Sequence, residues 1–471
     1  MLAAGGAAAL GLRASRERTR RQAVPADTPA REASLERHRR KVERIARQLR
    51  EHRGPAPVSF KKRAVTHEVP KGWDLRHRDR KIDLCDLDEI LEIDPVRRTC
   101  VAEPGVSFVD LVDATLRHGL VPVVVPELKT ITVGGAVAGC SLESTSFRHG
   151  GFHDSCLEYE VITARGEVLT CTPENGNRLI FEMMHGTFGT LGVLSRLTFR
   201  LLPAGRFVKV TYEKYATLAE YLEAVRRRFE AQDADFVDGI IHSPDEHVLS
   251  VGHFTDDAPY AHRYDWMRIY PDSTRERAED YLATPDYFFR YDHGVTNVQP
   301  RSFLGRLLFG KLMGSSQLLR AADALPRLLR LFPPPVTVDV FVPFWRAAEF
   351  MDWYRGAIGH FPLWCVPYRV RRPYAWLSDR FVAGLKDGLF LDLAVYGMRP
   401  EPGTNPYRLL EEKLHEVGGV KTLISCNYYS EDEFWATWNR PNYEAAKAVV
   451  DPDNVFRGLY EKMCRASRGL E

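Results

Sequence analysis

Short runs of β-branched and other apolar residues, separated by Gly, Pro and Asp, fill the chain from residue 55 to about residue 203. Such runs are typical of β-strands. They lie at 99–102, 120–125, 159–164, 168–172 and 194–202. Between the first two, apolar residues recur at helical spacing in the stretch from Val106 to His118, and Gly119 follows as a helix-ending residue. Strands interleaved with a helix predict an α+β unit, with a hairpin turn at Arg165–Gly166.

Helical periodicity becomes more frequent after residue 204. Helices are predicted at 218–229, 302–331, 345–358 and 407–417, and strands at 336–342 and 390–396. The tail 441–471 is again helical, with a break at Asp451-Pro452-Asp453-Asn454. The pattern divides the chain into a basic N-terminal tail and helix (1–54), an α+β domain (55–203), an aromatic-rich second domain (204–440) and a C-terminal segment (441–471).

The N-terminal segment is strongly basic. Residues 1–54 hold 14 Arg or Lys against 6 Asp or Glu, and Leu35, Val42, Ile45 and Leu49 recur there at helical spacing. We favour a solvated helix behind a flexible tail, since charge runs usually form solvated faces. The alternative is a patch that holds the protein against anionic lipid, where each basic residue contributes on the order of 1 kcal/mol.

Membrane insertion is not expected from this sequence. Residues 2–12 are apolar but too short for a span, which takes about 20 residues, and no positive segment precedes them as in a signal peptide. We therefore expect a cytoplasmic protein that is at most peripheral on the inner face of the membrane.

Composition excludes several classes of protein. A chain of 471 residues should form two or three packed units. Its formal net charge of +2 argues against a nucleic-acid partner. The eight cysteines are scattered without a Cys-x-x-Cys pair, which indicates neither a disulfide framework nor a metal site and favours a reducing compartment.

The most informative run is 126–151, PELKTITVGGAVAGCSLESTSFRHGG. Its glycines allow a ligand to approach the backbone closely, and exposed amides in such loops bind anions such as a pyrophosphate. The spacing is neither G-x-G-x-x-G nor a phosphate-binding G-x-x-x-x-G-K-[ST] loop. Tight turns in a β-rich domain are the alternative interpretation.

The stretch TVGGAVAGCSLES (132–144) resembles the flavin-binding segment of the vanillyl-alcohol-oxidase-type (PCMH-type) FAD fold. Within it, the chain is most similar to the delta-24 sterol reductase (diminuto/seladin) group and to bacterial methylene-fatty-acyl reductases. The likeness continues in AEPGVSF (102–108), VVPEL (124–128), LEYEVITARGEVLTCTPEN (157–175), GTFGTLGVLSRLTFRLLPA (186–204), SEDEFWATW (430–438) and the segment 460–466.

This resemblance implies an α+β fold in which a two-part FAD-binding domain is completed by the C-terminal segment and carries an α+β cap domain with the substrate pocket. The implied contacts to non-covalently bound FAD are Thr132, Val133, Gly134, Gly135, Gly139, Glu143, Ser144, His149 and Gly150, with Gly192 and Val193 near the flavin or its ribityl chain. The chain departs from the sterol reductases in lacking their membrane-spanning N-terminus, and in carrying Phe147 and His149 where they have histidine and tyrosine.

The implied chemistry needs an acid. An isolated alkene cannot accept hydride alone, so a proton must arrive with it in a dry, aromatic-lined site. Candidate catalytic residues lie in the run Tyr287–His293, where an extended backbone would place Arg290 and Asp292 on one face and His293 on the other. Further candidates are Tyr428, which matches a family tyrosine, Tyr368-Arg369, and Asp392 with Tyr396. Core packing is the alternative interpretation for most of the aromatic residues.

The expected function is therefore FAD-dependent, NADPH-driven reduction of an isolated C=C bond in a lipid. Arginine outnumbers lysine 51 to 14, as in proteins from GC-rich bacterial genomes, and this favours a 10-methylene fatty acyl chain, with a methyltransferase as partner. The alternatives are a sterol or isoprenoid side chain, an FAD-dependent alcohol or sugar oxidase or dehydrogenase, and a scaffold that has lost its flavin.

Overall fold

The structure, a computed structural model, describes residues 28–64, 68–69, 71–265, 269–292, 334–383 and 385–470. Three predicted features lie outside these residues: the N-terminal tail as far as residue 27, the helix at 302–331 and the candidate residue His293. The described chain combines helices with two large, mainly antiparallel sheets, so the predicted α+β class is confirmed.

The first sheet is built from residues 90–203. Its strands are β3 (Ile90–Asp94), β4 (Thr99–Ala102), β5 (Leu120–Pro122), β6 (Cys156–Ile162), β7 (Val168–Cys171) and β8 (Val193–Pro203), in the order β3-β4-β8-β6-β7 with β5 on β8. The predicted hairpin joins β6 and β7, where Gly166 takes a φ of +75°, a left-handed conformation that favours glycine. Two shorter strands, β1 (Val58–Lys61) and β2 (Arg80–Asp83), pair in parallel beside this sheet.

The second sheet follows immediately along the chain. Its strands are β9 (Phe207–Tyr215), β10 (Phe236–Ser243), β11 (Glu246–Thr255), β12 (Glu279–Ala283), β13 (Val336–Pro343), β14 (Leu363–Arg369), β15 (Leu389–Met398) and β16 (Val420–Lys421). They are ordered β12-β9-β11-β10-β14-β15-β13-β16, so β14, β15 and β13 are neighbours in the sheet.

The helices connect the strands. They are α1 (Thr28–Arg50), α2 (Phe108–Leu116), α3 (Val133–Ala138), α4 (Ser146–His149), α5 (Arg178–Met183), α6 (Leu218–Ala231), α7 (Tyr270–Glu276), α8 (Thr284–Phe288), α9 (Ala347–Ala357), α10 (Asp379–Ala383), α11 (Pro406–Val417), α12 (Glu431–Thr437) and α13 (Arg440–Val450). Predicted helices α2, α6, α9 and α11 are found within a few residues of their predicted bounds. Among the described residues no helix is long and apolar enough to cross a bilayer.

Helix α1 is packed rather than freely solvated, which differs from our preferred interpretation. Ile45 and Leu49 are buried in a core shared with the first sheet. His38 bridges Glu103 and Glu160, with both ring nitrogens 2.9 Å from carboxylate oxygens. Because several of its charges are used in such ion pairs, the basic excess of this segment is partly neutralised within the protein, and membrane contact through it stays a prediction.

The C-terminal segment packs against the first sheet and its neighbours. Ala164 N donates to Val450 O at 2.8 Å, and Val58 N donates to Val455 O at 2.8 Å. Buried Lys447 lies 2.6 Å from Asp451 and anchors the turn that follows α13. The chain thus returns from the second sheet to the first before it ends.

Candidate functional site

A cavity of about 590 Å³ lies where the glycine-rich segment meets one face of the second sheet. Its wall includes the loop between β1 and β2, the segment from Pro126 to Leu142, and strands β13 to β15. Residues distant in sequence, and carried by both sheets, therefore converge on one space.

The glycine-rich wall exposes backbone instead of side chains. Thr132 caps α3, and its Oγ1 accepts a hydrogen bond from Gly135 N at 3.2 Å. Gly134 lies against Pro104, so closely that a Cβ at Gly134 would be 2.5 Å from the Pro104 Cβ. Gly134, Gly135 and Gly139 all line the cavity, which lets a ligand approach the main chain there.

Basic side chains surround another part of the cavity. They are Lys62, Arg63, Lys71, Arg76, His77, Lys81 and Lys462. Arg76 is neutralised by Glu68 at 2.7 Å and by Asp74 at 2.6 Å. The Lys71 Nζ is buried and has no hydrogen-bond partner within the part of the chain that the structure describes. Since a buried ammonium without a partner is costly, this end of the cavity suits an anionic ligand.

Sequence reasoning missed this basic loop. The sequence feature that could have predicted it is the high number of Lys, Arg and His residues from Lys61 to Lys81, around two short strands. Lys462 had no such signal, because it reaches the cavity only through the return of the C-terminal segment. Burial, together with the nearby Arg76 and Lys62, lowers the pKa of Lys462 to about 8, although Glu68 opposes the shift.

Along two strands of the second sheet, successive side chains alternate between the core and the cavity, and this alternation produces the sheet face that lines the cavity. In β13, Val336, Val338, Val340 and Val342 point into the core, whereas Thr337, Asp339 and Phe341 line the cavity. In β15, Leu389, Leu391, Leu393 and Val395 are core residues, and Asp392 and Tyr396 line the cavity. Because Phe341 pairs with Asp392 and Thr337 with Tyr396, these residues lie side by side on one face.

Two carboxyl groups on this face resist ionisation. Burial raises the pKa of Asp392 well above its usual range, and the negative charges of Asp339 and Glu127 add to the shift. Burial also raises the pKa of Asp339 to about 6, against the hydrogen bond that Tyr396 donates to it. Asp392 Oδ1 is buried without a hydrogen-bond partner among the described residues. The pair therefore retains a proton at neutral pH.

A third carboxyl group belongs to the same wall. Glu127 lies in the segment that precedes the glycines, and burial raises its pKa to about 8, with Glu143 and Asp339 adding to the effect. The site thus combines neutral acids on one side with ammonium groups on another.

The sequence-predicted FAD contacts divide into two groups. Thr132, Gly134, Gly135, Gly139 and Gly192 line the cavity. Val133, Glu143, Ser144, His149, Gly150 and Val193 are not among its lining residues. Val133 and Val193 are fully buried in the hydrophobic core, and burial with two neighbouring arginines lowers the pKa of His149 to about 4. The role of this second group stays a prediction.

The predicted catalytic residues are not brought together at the cavity. Helix α8 begins at Thr284 with Pro285 in its first turn, and turns follow to Asp292, so the extended backbone assumed for this run is wrong. Arg290 is buried and lies 2.9 Å from Asp238 and 3.3 Å from Glu143, behind the glycine-rich segment. Asp292 accepts from Lys129 N at 3.3 Å. None of these residues lines the cavity within the described chain.

Tyr428 also lies away from this space. Its ring packs under the Arg468 guanidinium and against Tyr407, on the far side of the second sheet's core. The further candidates Asp392 and Tyr396 are the ones that face the cavity.

Comparison with known proteins agrees with the geometry. Residues 38–172 match the family model described as an FAD binding domain. The chain contains an FAD-binding domain. It is 26% identical over 463 residues to the Delta(24)-sterol reductase of Mus musculus, an alignment that covers 92% of this chain and 87% of the relative. It is 24% identical to the Delta(24)-sterol reductase homolog dhcr-24 of Caenorhabditis elegans, over 92% of this chain and 88% of the relative.

A third relative matches only part of the chain. Cytokinin dehydrogenase 5 of Arabidopsis thaliana is 31% identical over 140 residues, which is 29% of this chain and 26% of the relative. The resemblance inferred from residues 132–144 is confirmed. The protein is an FAD-binding oxidoreductase related to the delta-24 sterol reductases.

The described residues fit FAD. The cofactor carries an anionic pyrophosphate, for which the unpartnered Lys71 ammonium, Lys462 and the side-chain-free backbone at Gly134 and Gly135 supply a suitable surface. Most of the wall between the FAD-binding domain and the second sheet is apolar, as a flavin ring requires.

Proposed function

We propose that this protein is an FAD-dependent, NADPH-driven reductase of an isolated C=C bond in a lipid, with a sterol or isoprenoid side chain as its substrate class. The observation that carries the proposal is the buried pair of Asp339 and Asp392, two carboxyl groups with raised pKa values on the sheet face that meets the glycine-rich wall of the FAD-binding domain.

An isolated alkene sets a specific demand on the protein. It has no electron-withdrawing group, so addition of hydride to one carbon requires a proton on the other. Bound FAD, once reduced, supplies the hydride, and the protein must supply the proton. A carboxylic acid that stays neutral at pH 7 meets this demand, and burial among like charges is the means by which proteins produce one.

Asp392 is the group best placed to hold that proton. Its Oδ1 is unpartnered among the described residues, so a proton on the carboxyl group is not committed to another protein atom. Asp339 differs, because it accepts a hydrogen bond from the Tyr396 hydroxyl group, which fixes the orientation of its carboxyl group. We assign proton donation to Asp392 and orientation of the acid pair to Asp339 and Tyr396.

The neighbouring groups suit an apolar substrate with cationic character in its transition state. Phe341 lies directly across from Asp392, and Trp364 lines the same space on β14. Aromatic faces stabilise developing positive charge, and they also exclude the water that would compete for the proton.

The relatives favour one of the lipid classes considered for the sequence. Those reported above that span the chain are sterol reductases by name. They give no support to the 10-methylene fatty acyl chain that the arginine-rich composition favoured, so the sterol or isoprenoid alternative becomes the proposal. The methyltransferase predicted as partner for the fatty acyl substrate stays a prediction, as does the use of NADPH.

Asp392 and Glu127 weigh against alcohol or sugar oxidation. That reaction needs a base that removes a hydroxyl proton, whereas the raised pKa values of these two carboxyl groups keep them protonated at neutral pH.

Replacement of Asp392 by Asn tests the proposal. The variant keeps the shape of the side chain but cannot donate a proton, so we expect the rate at which a sterol alkene reoxidises the NADPH-reduced flavin to fall by about 100-fold or more. FAD content and flavin reduction by NADPH should stay unchanged. The matched control is Asp352→Asn, on an exposed position of α9. Reoxidation at the wild-type rate in Asp392→Asn would remove the acid pair from the mechanism.

A further inference from the structure

The indole ring of Trp364 on β14 connects the cavity with a buried polar cluster. Trp364 is half-buried and lines the cavity. Its Nε1 donates to Asp238 Oδ2 at 2.9 Å, and the Asp238 side chain, on the neighbouring strand β10, is fully buried. The indole therefore contacts the cavity with its ring and the protein interior with its N–H group.

Strand pairing places this ring beside the acid pair. Trp364 pairs with Ala394 on β15, two residues from Asp392, so Trp364 and Asp392 are diagonal neighbours on one face of the sheet. Diagonal neighbours lie about 7–8 Å apart, a distance that a large aromatic side chain spans. A substrate that reaches the Asp392 carboxyl group therefore also meets the indole.

One carboxylate oxygen holds the buried cluster together. Asp238 Oδ2 accepts from Arg290 Nη2 at 2.9 Å and from the Tyr291 hydroxyl at 2.8 Å, in addition to the Trp364 indole. Arg290 is held over the Tyr287 ring, 4.1 Å from its centroid, and donates to the Tyr287 carbonyl oxygen at 2.9 Å. Within the described chain, neither Arg290 nor Tyr291 lines the cavity, so the position of Asp238 is set by contacts away from the ligand.

A ring contact restricts the indole further. The Tyr291 and Trp364 ring centroids lie 5.2 Å apart, with their planes inclined at 50°. Tyr291 thus packs against the indole and also donates to the acceptor of its N–H group. With its N–H group bonded to a carboxylate and its ring packed on Tyr291, Trp364 keeps one orientation toward the cavity.

A fixed indole has a use in the proposed reaction. An alkene that is protonated as hydride arrives develops positive charge, and the indole face attracts a cation more strongly than the face of Phe or Tyr does. The hydrogen bond to a carboxylate polarises the indole and makes its ring more electron-rich. A group that is oriented before the reaction needs no reorganisation in the transition state.

We propose that Asp238 is a positioning residue for alkene reduction: it holds the Trp364 indole against the reacting double bond, and Arg290 and Tyr291 hold Asp238. This inference rests on the proposed alkene reductase function. It gives Arg290, which the sequence suggested as a catalytic residue, an indirect role through Asp238 and Trp364.

A double-mutant cycle tests whether Asp238 acts through Trp364. Asp238→Asn keeps the side-chain shape but removes the charge, and Trp364→Phe keeps a ring but removes the N–H group. The quantities measured are the rate of flavin reoxidation by a saturating unsaturated sterol, and the dissociation constant of its saturated counterpart from the visible absorption of the bound flavin. The matched control is Asp280→Asn on β12, since Asp280 is buried, lies 2.6 Å from His262 Nδ1 and is not a lining residue of the described cavity.

Asp238→Asn should lower the reoxidation rate about tenfold and change the dissociation constant by less than about twofold, because it disorients a ring without removing a substrate contact. In the Trp364→Phe protein the same substitution should change the rate by less than about twofold, because no indole remains to be positioned. Asp280→Asn should behave as the wild-type protein. Equal losses of rate in both backgrounds, or no loss in either, would overturn the inference.

Tyr291→Phe is a second variant that leaves the buried charges paired. It removes one donor from Asp238 but keeps the Arg290 contact, so it tests the inference even if Asp238→Asn does not fold. We expect a loss of rate of about threefold that again requires Trp364. The same loss in the Trp364→Phe background would contradict the positioning role.

The Trp364 N–H signal provides a readout that does not depend on turnover. In FAD-loaded protein with isotope-labelled tryptophan, the NMR signal of this indole is identified by its loss in Trp364→Phe. Asp238→Asn should shift it upfield and speed its exchange with solvent, and Asp280→Asn should leave it in place. An unchanged signal in Asp238→Asn overturns the inference, whereas failure of the unsaturated sterol to reoxidise the wild-type flavin contradicts the reductase function on which it rests.

Discussion

At the scale of single residues, burial places neutral acids and ammonium groups at different parts of one cavity. Asp392 and Glu127 keep their protons, because desolvation and the charges of neighbouring carboxyl groups raise their pKa values, and burial raises the pKa of Asp339 beside them to about 6. Lys71 and Lys462 are ammonium groups whose pKa values burial lowers, so they gain from an anion that restores their charge. The first set suits proton donation and the second suits cofactor binding.

The pKa of Lys462 yields a prediction for FAD binding. In the cofactor-free site the group has a pKa of about 8, and a bound anion favours its charged form, so binding takes up a proton. FAD affinity of the cofactor-free protein should therefore be greatest below pH 8 and fall by up to about tenfold per pH unit above it. Fluorescence titration of FAD between pH 7 and pH 9 measures this.

Two variants sharpen the same measurement. Lys462→Met should bind FAD more weakly at pH 7 and lose the pH dependence. Lys462→Arg keeps the positive charge from pH 7 to pH 9, so it should retain FAD affinity at pH 7 and also show a flat pH profile. The exposed Lys386→Met serves as control. A pH profile that is the same in wild-type protein and Lys462→Met shows that Lys462 does not contact the cofactor.

The residue scale is also where sequence reasoning was weakest. Alternation in VTVDVFV and LFLDLAVY does indicate two strands with one apolar face, yet no pattern in either strand shows that β13 and β15 are neighbours and place Asp339 and Asp392 on the same face. The concentrated run from Tyr287 to His293 attracted attention because its polar residues are adjacent in sequence. Asp339 and Asp392 come together through burial and strand pairing, and not because they are close in the sequence.

At the scale of elements, the glycine-rich segment positions the site. Thr132 starts α3, and Gly134 lets the chain pass against Pro104 before the backbone reaches the cavity. This segment could be identified from the sequence because glycine spacing records a local backbone requirement. The same holds for the long amphipathic helices, whose periodicity depends only on one buried face.

Gly134→Ala tests that role. Its Cβ would lie 2.5 Å from the Pro104 Cβ and 3.0 Å from the Pro104 carbonyl oxygen, so the loop must shift. We expect a lower melting temperature of the cofactor-free protein and FAD binding weakened by about tenfold or more. Gly176→Ala is the matched control, since a Cβ there meets nothing within 4 Å. Equal melting temperatures and equal FAD affinities of the two variants would show that the close approach of Gly134 to Pro104 is unimportant.

At the scale of the whole molecule, the site exists only because two sheets and a returning C-terminus meet. The FAD-binding domain supplies glycines and basic residues, the second sheet supplies acids and aromatic rings, and residue 462 supplies a further cation. The fold class and the FAD-binding segment were predictable, since they depend on local patterns and on family resemblance. The composition of the cavity was not, because it depends on the convergence of segments that lie as far apart in the chain as Lys62 and Lys462.

The central claim is that the flavin passes electrons from NADPH to an isolated alkene. It is tested most directly by the visible absorption of the purified protein under anaerobic conditions, first with NADPH and then with a sterol that has a double bond near its side-chain end. We expect the oxidised flavin band to bleach with NADPH and to return when the unsaturated sterol is added, but not with its saturated counterpart. A flavin band that NADPH bleaches and that no alkene restores would contradict the proposed reaction.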